Sequence, residues 1–252
     1  MIKLLKRQLL NLLNYFDLEV INKKQVIVEL SNHDEELIKL VSKYSMTTRL
    51  RIYNLLQALK YVKQKSIDGD FVECGVWKGG NLILFQKFIE KEFKDENRTI
   101  FAYDTFEGMN EPDENDFDLK TKISAKNLLE VEKDKKSNLW GICSLEDVKK
   151  NILENTSSLK NIKFVKGKVE DTLDNLDNLP QKISILRLDT DWYKSTKKEL
   201  EVLYDRVSSG GVIIIDDYGH WGGSKKSVDE FFTGKFVWMH YVDYACRLII
   251  KD

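Results

Sequence analysis

Four aspartates carry the first chemical signal in this chain. Asp189 and Asp191 lie in Leu188-Asp189-Thr190-Asp191-Trp192-Tyr193, and Asp216 and Asp217 in Ile215-Asp216-Asp217-Tyr218. Each pair follows an apolar, strand-like run, Ile183 to Asp189 and Val212 to Asp216. Strand ends of this kind form the ligand-binding edge of an open α/β sheet. Carboxylates gathered there repel one another unless a divalent cation or bound cationic groups neutralise them, so the pattern points to a metal-assisted site. Acids after strands also cap helices, and for Asp191, with Ser195 and Thr196 close behind it, that is the structural alternative. Residues two apart in an extended strand share a face, which puts Asp189 and Asp191 on one side if the strand persists past Leu188. Asp216 and Asp217 are adjacent, so a turn has to redirect one of them before both can reach one ion. His220, in Tyr218-Gly219-His220-Trp221, stands beside the acids as a candidate for acceptor contact or proton transfer. Trp192, Tyr193 and Trp221 are candidates for an apolar wall.

The elements that must position these groups alternate along the chain. Residues 1 to about 68 read as helical and polar, with leucines at helical spacing in Met1 to Asn14 and a buried stripe from Thr48 to Lys65 formed by Leu50, Tyr53, Leu55, Leu56, Leu59 and Val62. Strands are expected at Phe71 to Val76, Ile100 to Phe106, Ile162 to Val169, Ile183 to Asp189 and Val212 to Asp216. Helices are expected at Asn81 to Glu96, Ser144 to Leu153 with Ser144 and Asp147 as an N-terminal cap pattern, and Ser195 to Val207. Phe236 to Tyr241 and Ala245 to Ile250 read as a closing hairpin. The fold class that follows is α/β, a mostly parallel sheet closed by a C-terminal antiparallel pair and preceded by N-terminal helices. The charged stretch from Gly108 to about Lys136 reads as a mobile loop or lid rather than a core element.

Two loops at the strand ends point to a nucleoside. The first strand ends in Glu73-Cys74-Gly75-Val76-Trp77-Lys78-Gly79-Gly80, where Gly75 permits a sharp turn and Gly79 lets a ligand or helix approach the backbone closely. The second ends in Tyr103-Asp104-Thr105-Phe106-Glu107-Gly108, which places Asp104 where such folds hold ribose hydroxyls. Gly167-Lys168-Val169-Glu170-Asp171-Thr172 reaches the same edge and could border an adenine ring. These motifs alone do not separate a nicotinamide dinucleotide, and hence an oxidoreductase, from S-adenosylmethionine. Two features favour S-adenosylmethionine. The first loop is not the G-x-G-x-x-G that sets a helix N-terminus against pyrophosphate, and Glu73 would repel pyrophosphate while suiting a sulfonium or amino group. A non-catalytic nucleoside-binding protein is the remaining alternative.

Composition narrows the partners. The chain has 252 residues, 40 basic and 41 acidic side chains and a formal charge of -1, which suits one large α/β domain and gives no overall field for nucleic acid or an anionic membrane. No segment approaches the roughly 20 apolar residues of a membrane span. Cys74, Cys143 and Cys246 are far apart and form no CxxC pair, which fits reduced thiols and a cytoplasmic protein. Lysine dominates over arginine, asparagine is frequent and there are only 2 prolines, a bias expected of an AT-rich coding background.

The segments FVECGVWKGG, YDTFEGM, GKVEDT, LRLDTDWYKSTKKEL and GGVIIIDDYGHWGGSKKSVDEFF resemble the successive motifs of the macrocin O-methyltransferase family. The likeness covers roughly residues 44 to 250. It implies a Rossmann-like class I methyltransferase with a seven-stranded sheet, S-adenosylmethionine as methyl donor and a divalent metal, usually Mg2+. It further implies Asp189, Asp216 and Asp217 as metal ligands and Asp191 as general base, with His220 as a second catalytic candidate. Glu73, Gly75, Gly79, Asp104, Thr105, Phe106, Gly167, Asp171, Thr172 and Asp189 fall in its cofactor motifs. Met46-Thr47-Thr48-Arg49 resembles its cofactor-covering element, which adds Thr47 and Arg49. Lys168 and Val169 stand where relatives commonly carry bulkier aromatic groups. The implied organisation is an extension at 1–68, as cofactor cover or dimer contact, and a catalytic domain at 69–252 with an acceptor lid about 108–143. The implied partner is a small-molecule acceptor with a sugar-like, nucleotide-linked or phosphorylated hydroxyl, handled by a homo-oligomer. The family has relatives in surface-glycan gene clusters, and the coding bias directs the expectation toward glycan or capsule precursors.

Overall fold

The computed structural model describes residues 27–93, 97–134 and 137–252. The leucine-rich stretch Met1 to Asn14 lies outside them. Contacts divide the chain into two compact units, 1–35 and 36–252. Helix α1 spans Asn32–Val41.

In the second unit, helix α2 (Arg49–Gln64) begins at Thr48, whose hydroxyl caps it by accepting from the Arg51 N–H. Its buried stripe is Ile52, Leu55, Leu56, Ala58, Leu59 and Val62. Ile52 and Ala58 therefore replace the expected Leu50 and Tyr53, because the core lies to one side of the stripe predicted from spacing. Each fully buried aliphatic side chain of this kind contributes about 1.5–3 kcal/mol.

Strand β1 (Asp70–Cys74) leads through the glycine loop into α3 (Gly80–Glu92), and β2 (Ile100–Asp104) follows. The chain continues through α4 (Ala125–Val131), α5 (Leu145–Leu153), β3 (Ile162–Lys166) and the short α6 (Val169–Thr172). Then come β4 (Ile183–Leu188), α7 (Tyr193–Leu203), β5 (Val207–Ile215) and α8 (Gly222–Phe231). Strands β6 (His240–Tyr241) and β7 (Arg247–Ile250) close the chain.

The seven strands form one sheet in the order β3-β2-β1-β4-β5-β7-β6. The first five are parallel, whereas β7 runs antiparallel to β5 and β6 antiparallel to β7. The expected fold class is the observed one. Strand order reverses between β1 and β4, which opens a crevice at their C-terminal ends. All six residues of β4 are buried, including Arg187, which pairs in register with Glu73 of β1.

Several of the described residues between Gly108 and Cys143 are anchored to the rest of the domain. Ala125 and Leu129 of α4 share a small core with Trp192 and Trp221. Buried Asp116 accepts the Tyr193 N–H at 2.8 Å and so caps the first turn of α7 from outside it. The Trp192 indole donates to the Asn110 carbonyl at 3.0 Å, and the Leu119 N–H donates to the His220 carbonyl at 2.8 Å. These anchors are single polar contacts that hydropathy patterns do not reveal.

Candidate active site

A cavity of about 310 Å³ opens at the β1/β4 switch point. Its lining includes Gly75, Asp104, Gly167, Asp189, Asp191, Asp216, Asp217 and His220 from the strand-end loops, and Thr47 and Arg51 from the start of α2. The sequence thus brings the four aspartates and most of the nucleoside-loop residues to one place.

Gly75 makes the crevice possible. Its φ is +86°, and a Cβ there would sit 1.9 Å from the Asp189 carbonyl oxygen. Only glycine allows β1 and β4 to end this close together. Asp104 orders the loops around it: Val76 and Trp77 N–H donate to its Oδ2 at 2.6 and 3.0 Å, and Phe106 N–H donates to Oδ1 at 2.7 Å. Thr105 lines the cavity and holds its own loop through the Gly108 carbonyl, to which its hydroxyl donates at 2.7 Å. The Thr47 hydroxyl is buried in the lining with no hydrogen-bond partner, a polar atom suited to a ligand.

Several expected cofactor residues lie outside the lining. Glu73 is fully buried beneath it, where Oε1 accepts from Asn81 Nδ2 at 2.8 Å and Arg187 Nη1 at 2.9 Å. Burial, against the pull of Arg187, pushes Glu73 up to about 7. Gly79 packs against Val148, the Phe106 ring against Phe164, and Asp171 is exposed on α6. Thr172 is half-buried and its hydroxyl has no partner. Arg49 opens α2 two residues beyond Thr47.

The acids are arranged differently from the expected trio of Asp189, Asp216 and Asp217. One carboxylate oxygen from each of Asp189, Asp191 and Asp217 lies within 4.8 Å of the others. Both Asp216 oxygens instead face arginines, Oδ2 at 2.5 Å from Arg51 Nη1 and Oδ1 at 2.9 Å from Arg187 Nη2. Arg187 also grips Asp189 Oδ2 at 2.6 Å, and Arg51 Nε reaches Asp243 at 2.8 Å. Sequence reasoning assigned no role to Arg51, Arg187 or Asp243. A usable signal existed for Arg187: a charged residue in an otherwise apolar strand, two positions before Asp189 and so on the same face.

The route to the cluster also differs. Strand β4 stops at Leu188, and Asp191 takes φ +68°, a left-handed conformation, so a turn rather than strand alternation joins it to Asp189. Asp191 does not cap α7, whose start carries no side-chain cap from its own N-cap residue Trp192. The Asp191 N–H faces Asp217 Oδ2 at 3.3 Å.

Crowding of these acids raises their proton affinity. Burial pushes Asp189 up to about 6, against the pull of Arg187 and with the added push of Asp216. Burial and then the charge of Asp189 push Asp191 up to about 7, and burial followed by Asp191 holds Asp217 well above the carboxylate range. Among the described residues no arginine forms an ion pair with Asp217, in contrast to Asp189 and Asp216. An all-oxygen donor set with excess negative charge fits a hard divalent cation, which would relieve the repulsion. His220 sits at the rim, its Nδ1 3.8 Å from Asp118 Oδ2, and burial lowers its pKa so that it is neutral at neutral pH.

The strand order, with β7 antiparallel, and the cavity at the switch point are those of the Rossmann-like class I methyltransferase fold. The O-methyltransferase NovP has this fold, with a TM-score of 0.74, 22% identity and coverage of 87% of this chain and 98% of its own. The model of the macrocin-O-methyltransferase (TylF) family matches residues 3–246, and the chain belongs to that family. It is 32% identical over 207 residues to demethyldecarbamoylnovobiocin O-methyltransferase of Streptomyces niveus, covering 80% of this chain and 70% of that one. It is also 32% identical over 179 residues to 8-demethyl-8-(2,3-dimethoxy-alpha-L-rhamnosyl)-tetracenomycin-C 4'-O-methyltransferase of Streptomyces olivaceus, covering 69% and 62%. The protein is an S-adenosylmethionine-dependent O-methyltransferase. Family membership decides between the two nucleoside cofactors that the strand-end loops left open. Among the described residues no helix is long and apolar enough to cross a membrane.

Proposed function

We propose that the protein methylates a hydroxyl of a sugar-like acceptor with the help of a divalent cation, Mg2+ by preference, in the synthesis of a surface glycan or capsule precursor. The observation that carries the metal-assisted reading is the approach of Asp189, Asp191 and Asp217 within 4.8 Å on the cavity wall. The lysine- and asparagine-rich composition supports a glycan acceptor over an antibiotic, and three free cysteines suit a reducing compartment.

An alcohol is a weak nucleophile at neutral pH, so the reaction depends on its proton. A bound divalent cation supplies the positive charge that makes a nearby hydroxyl easier to ionise. Asp189 and Asp217 would hold such a cation, and Asp191 accepts the hydroxyl proton on a carboxylate oxygen. Arg187 and Arg51 fix Asp189 and Asp216, which keeps the charged wall in place while the acceptor enters. Gly75, Thr47, Asp104 and its loops orient the donor so that the oxygen faces the methyl carbon opposite the sulfur. Transfer forms the O–C bond, breaks the C–S bond and leaves S-adenosylhomocysteine, with the proton on Asp191. Trp221, packed edge-on against the buried Trp192 at 4.9 Å, gives the cavity an apolar wall for the acceptor.

The test uses S-adenosylmethionine labelled in the methyl group and a panel of free sugars, nucleotide sugars and glycan precursors, with mass spectrometry of the product. Transfer should be lost in EDTA and reduced at least about 100-fold, the lower range of a general base, in Asp191→Asn. Full activity in metal-free protein would remove the cation from this reading, and full activity in Asp191→Asn would remove the base.

A further inference from the structure

The turn Asp189-Thr190-Asp191-Trp192 must set two carboxylates on one patch while the chain reverses into α7. It does so with Asp191 at φ +68°. For a residue with a Cβ that conformation costs about 1 kcal/mol or more, and it persists only where surrounding contacts hold it. Two main-chain bonds contribute: Asp189 N–H donates to the Cys74 carbonyl at 2.9 Å, and Trp192 N–H donates to the Thr190 carbonyl at 2.7 Å. Asp191 N–H itself donates to Asp217 Oδ2 at 3.3 Å, and a further anchor is a side-chain bond from the residue between the two acids. Thr190 lines the cavity, yet its hydroxyl is directed onto α7, where it donates to Glu199 Oε1 at 2.9 Å.

Glu199 is out of place by packing criteria. It is 0% exposed and shares the core face of α7 with Ser195, Thr196, Leu200 and Leu203. Its second oxygen, Oε2, has no hydrogen-bond partner, and the other polar groups around the carboxyl are Glu170, Asp189 and the Cys74 thiol at the end of β1. Burying such a group is costly, and an apolar side chain of similar size would fill the space more cheaply. What a leucine could not do is accept the Thr190 hydroxyl. Glu199 also ties that turn to α7, the element whose first N–H is capped from Asp116.

We propose that Glu199 is a positioning residue which, through Thr190, holds the strained turn that brings Asp189 and Asp191 together beside Asp217. This rests on reading the three carboxylates as the cation and proton-acceptor site. Glu199 touches neither donor nor acceptor and acts only by fixing the backbone between the two acids.

The experiment compares the full chain with Thr190→Val, Glu199→Leu, Glu199→Gln and the double variant Thr190→Val/Glu199→Leu. Hydrogen exchange read by mass spectrometry on peptides covering 188–193 reports the turn, and peptides from β1 and β2 serve as internal controls. Mn2+ binding followed by electron paramagnetic resonance reports the carboxylates. Thr190→Val and Glu199→Leu should each speed exchange in the turn and weaken Mn2+ about tenfold, the size seen when a ligand loses its supporting hydrogen bond. Glu199→Gln keeps a carbonyl acceptor and should restore both readouts. The double variant should be no worse than the worse single one, because both remove the same bond. Turn exchange unchanged in Thr190→Val, or single effects that add, would overturn the proposal. A wild-type chain that binds no Mn2+ would sink the cation reading instead, and the exchange measurement and its glutamine rescue would still decide the role of Glu199.

Discussion

Replacing Arg187 by methionine removes the cation on which the buried acids converge. The guanidinium lies 2.9 Å from Glu73, 2.6 Å from Asp189 and 2.9 Å from Asp216, and its side chain is only 3% exposed. Methionine fills much of the volume, so the loss is electrostatic rather than a cavity. Breaking a buried ion pair by deleting one partner costs about 3–5 kcal/mol, because the other charge is left without compensation. At roughly 2–4 °C per kcal/mol for a chain of this size, the unfolding midpoint should fall by about 6–20 °C. The pH dependence follows from Glu73 near 7 and Asp189 near 6. Both lie above the ordinary unfolded range of about 4, so they favour the folded state below that range and lose the effect as pH rises through 6 and 7. Without Arg187 they rise further, and the deficit should be largest at pH 8 and shrink toward pH 5, where protonated acids need no counter-charge. Arg187→Lys restores one point charge without the fork that spans Glu73 and Asp216, and should recover only part of the loss. Thermal and urea unfolding in EDTA, followed by circular dichroism at pH 5, 7 and 8, measures all of this. A deficit below about 1 kcal/mol, or one equal at pH 5 and 8, would refute the view that Arg187 is the counter-charge of the site.

Two other outcomes follow from the same geometry. With Asp189 near 6 and Asp217 held well above the carboxylate range, Mg2+ competes with protons, so saturating Mg2+ should raise the unfolding midpoint more at pH 8 than at pH 5. At about 100 times the dissociation constant the gain at pH 8 is about 2.7 kcal/mol; scanning calorimetry reads it, and equal shifts at both pH values would count against a carboxylate site. Gly75→Ala puts a methyl 1.9 Å from the Asp189 carbonyl at φ +86°. It should cost about 2–5 kcal/mol in urea unfolding and weaken S-adenosylhomocysteine in calorimetry, whereas near-wild-type values for both would show that the β1 and β4 ends separate freely.

Much of the fold was legible because it is written in local periodicity. Apolar runs ending in acids at Leu188 and Ile215 gave the strands, and Ser144 marked the start of α5 as a cap. Element ends were less legible. The sequence carried the third strand to Val169, but Gly167 turns the chain out of β3 and Val169 opens α6. Helix α8 went unread because it opens on Gly222 and Gly223, poor helix formers kept for close approach to Phe117 and Asp116. The charged stretch from Gly108 to about Lys136 reads as loose loop in the sequence, since the anchors of its described residues, Asp116 and a few main-chain bonds, leave no hydropathy pattern.

By itself the sequence determined which chemistry was available: four aspartates after two strands, glycines after the first, and a motif order matching one family of O-methyltransferases. Only tertiary structure decided how the acids divide. Asp216 turns to Arg51 and Arg187, whereas Asp191, through a left-handed turn braced by Thr190, joins Asp189 and Asp217. The physical reason is that charge pairing is non-local. Arg51 is 165 residues from Asp216 in the chain and Glu73 is 114 from Arg187, so nothing in local spacing announces which acid receives a counter-charge and which is left for a cation.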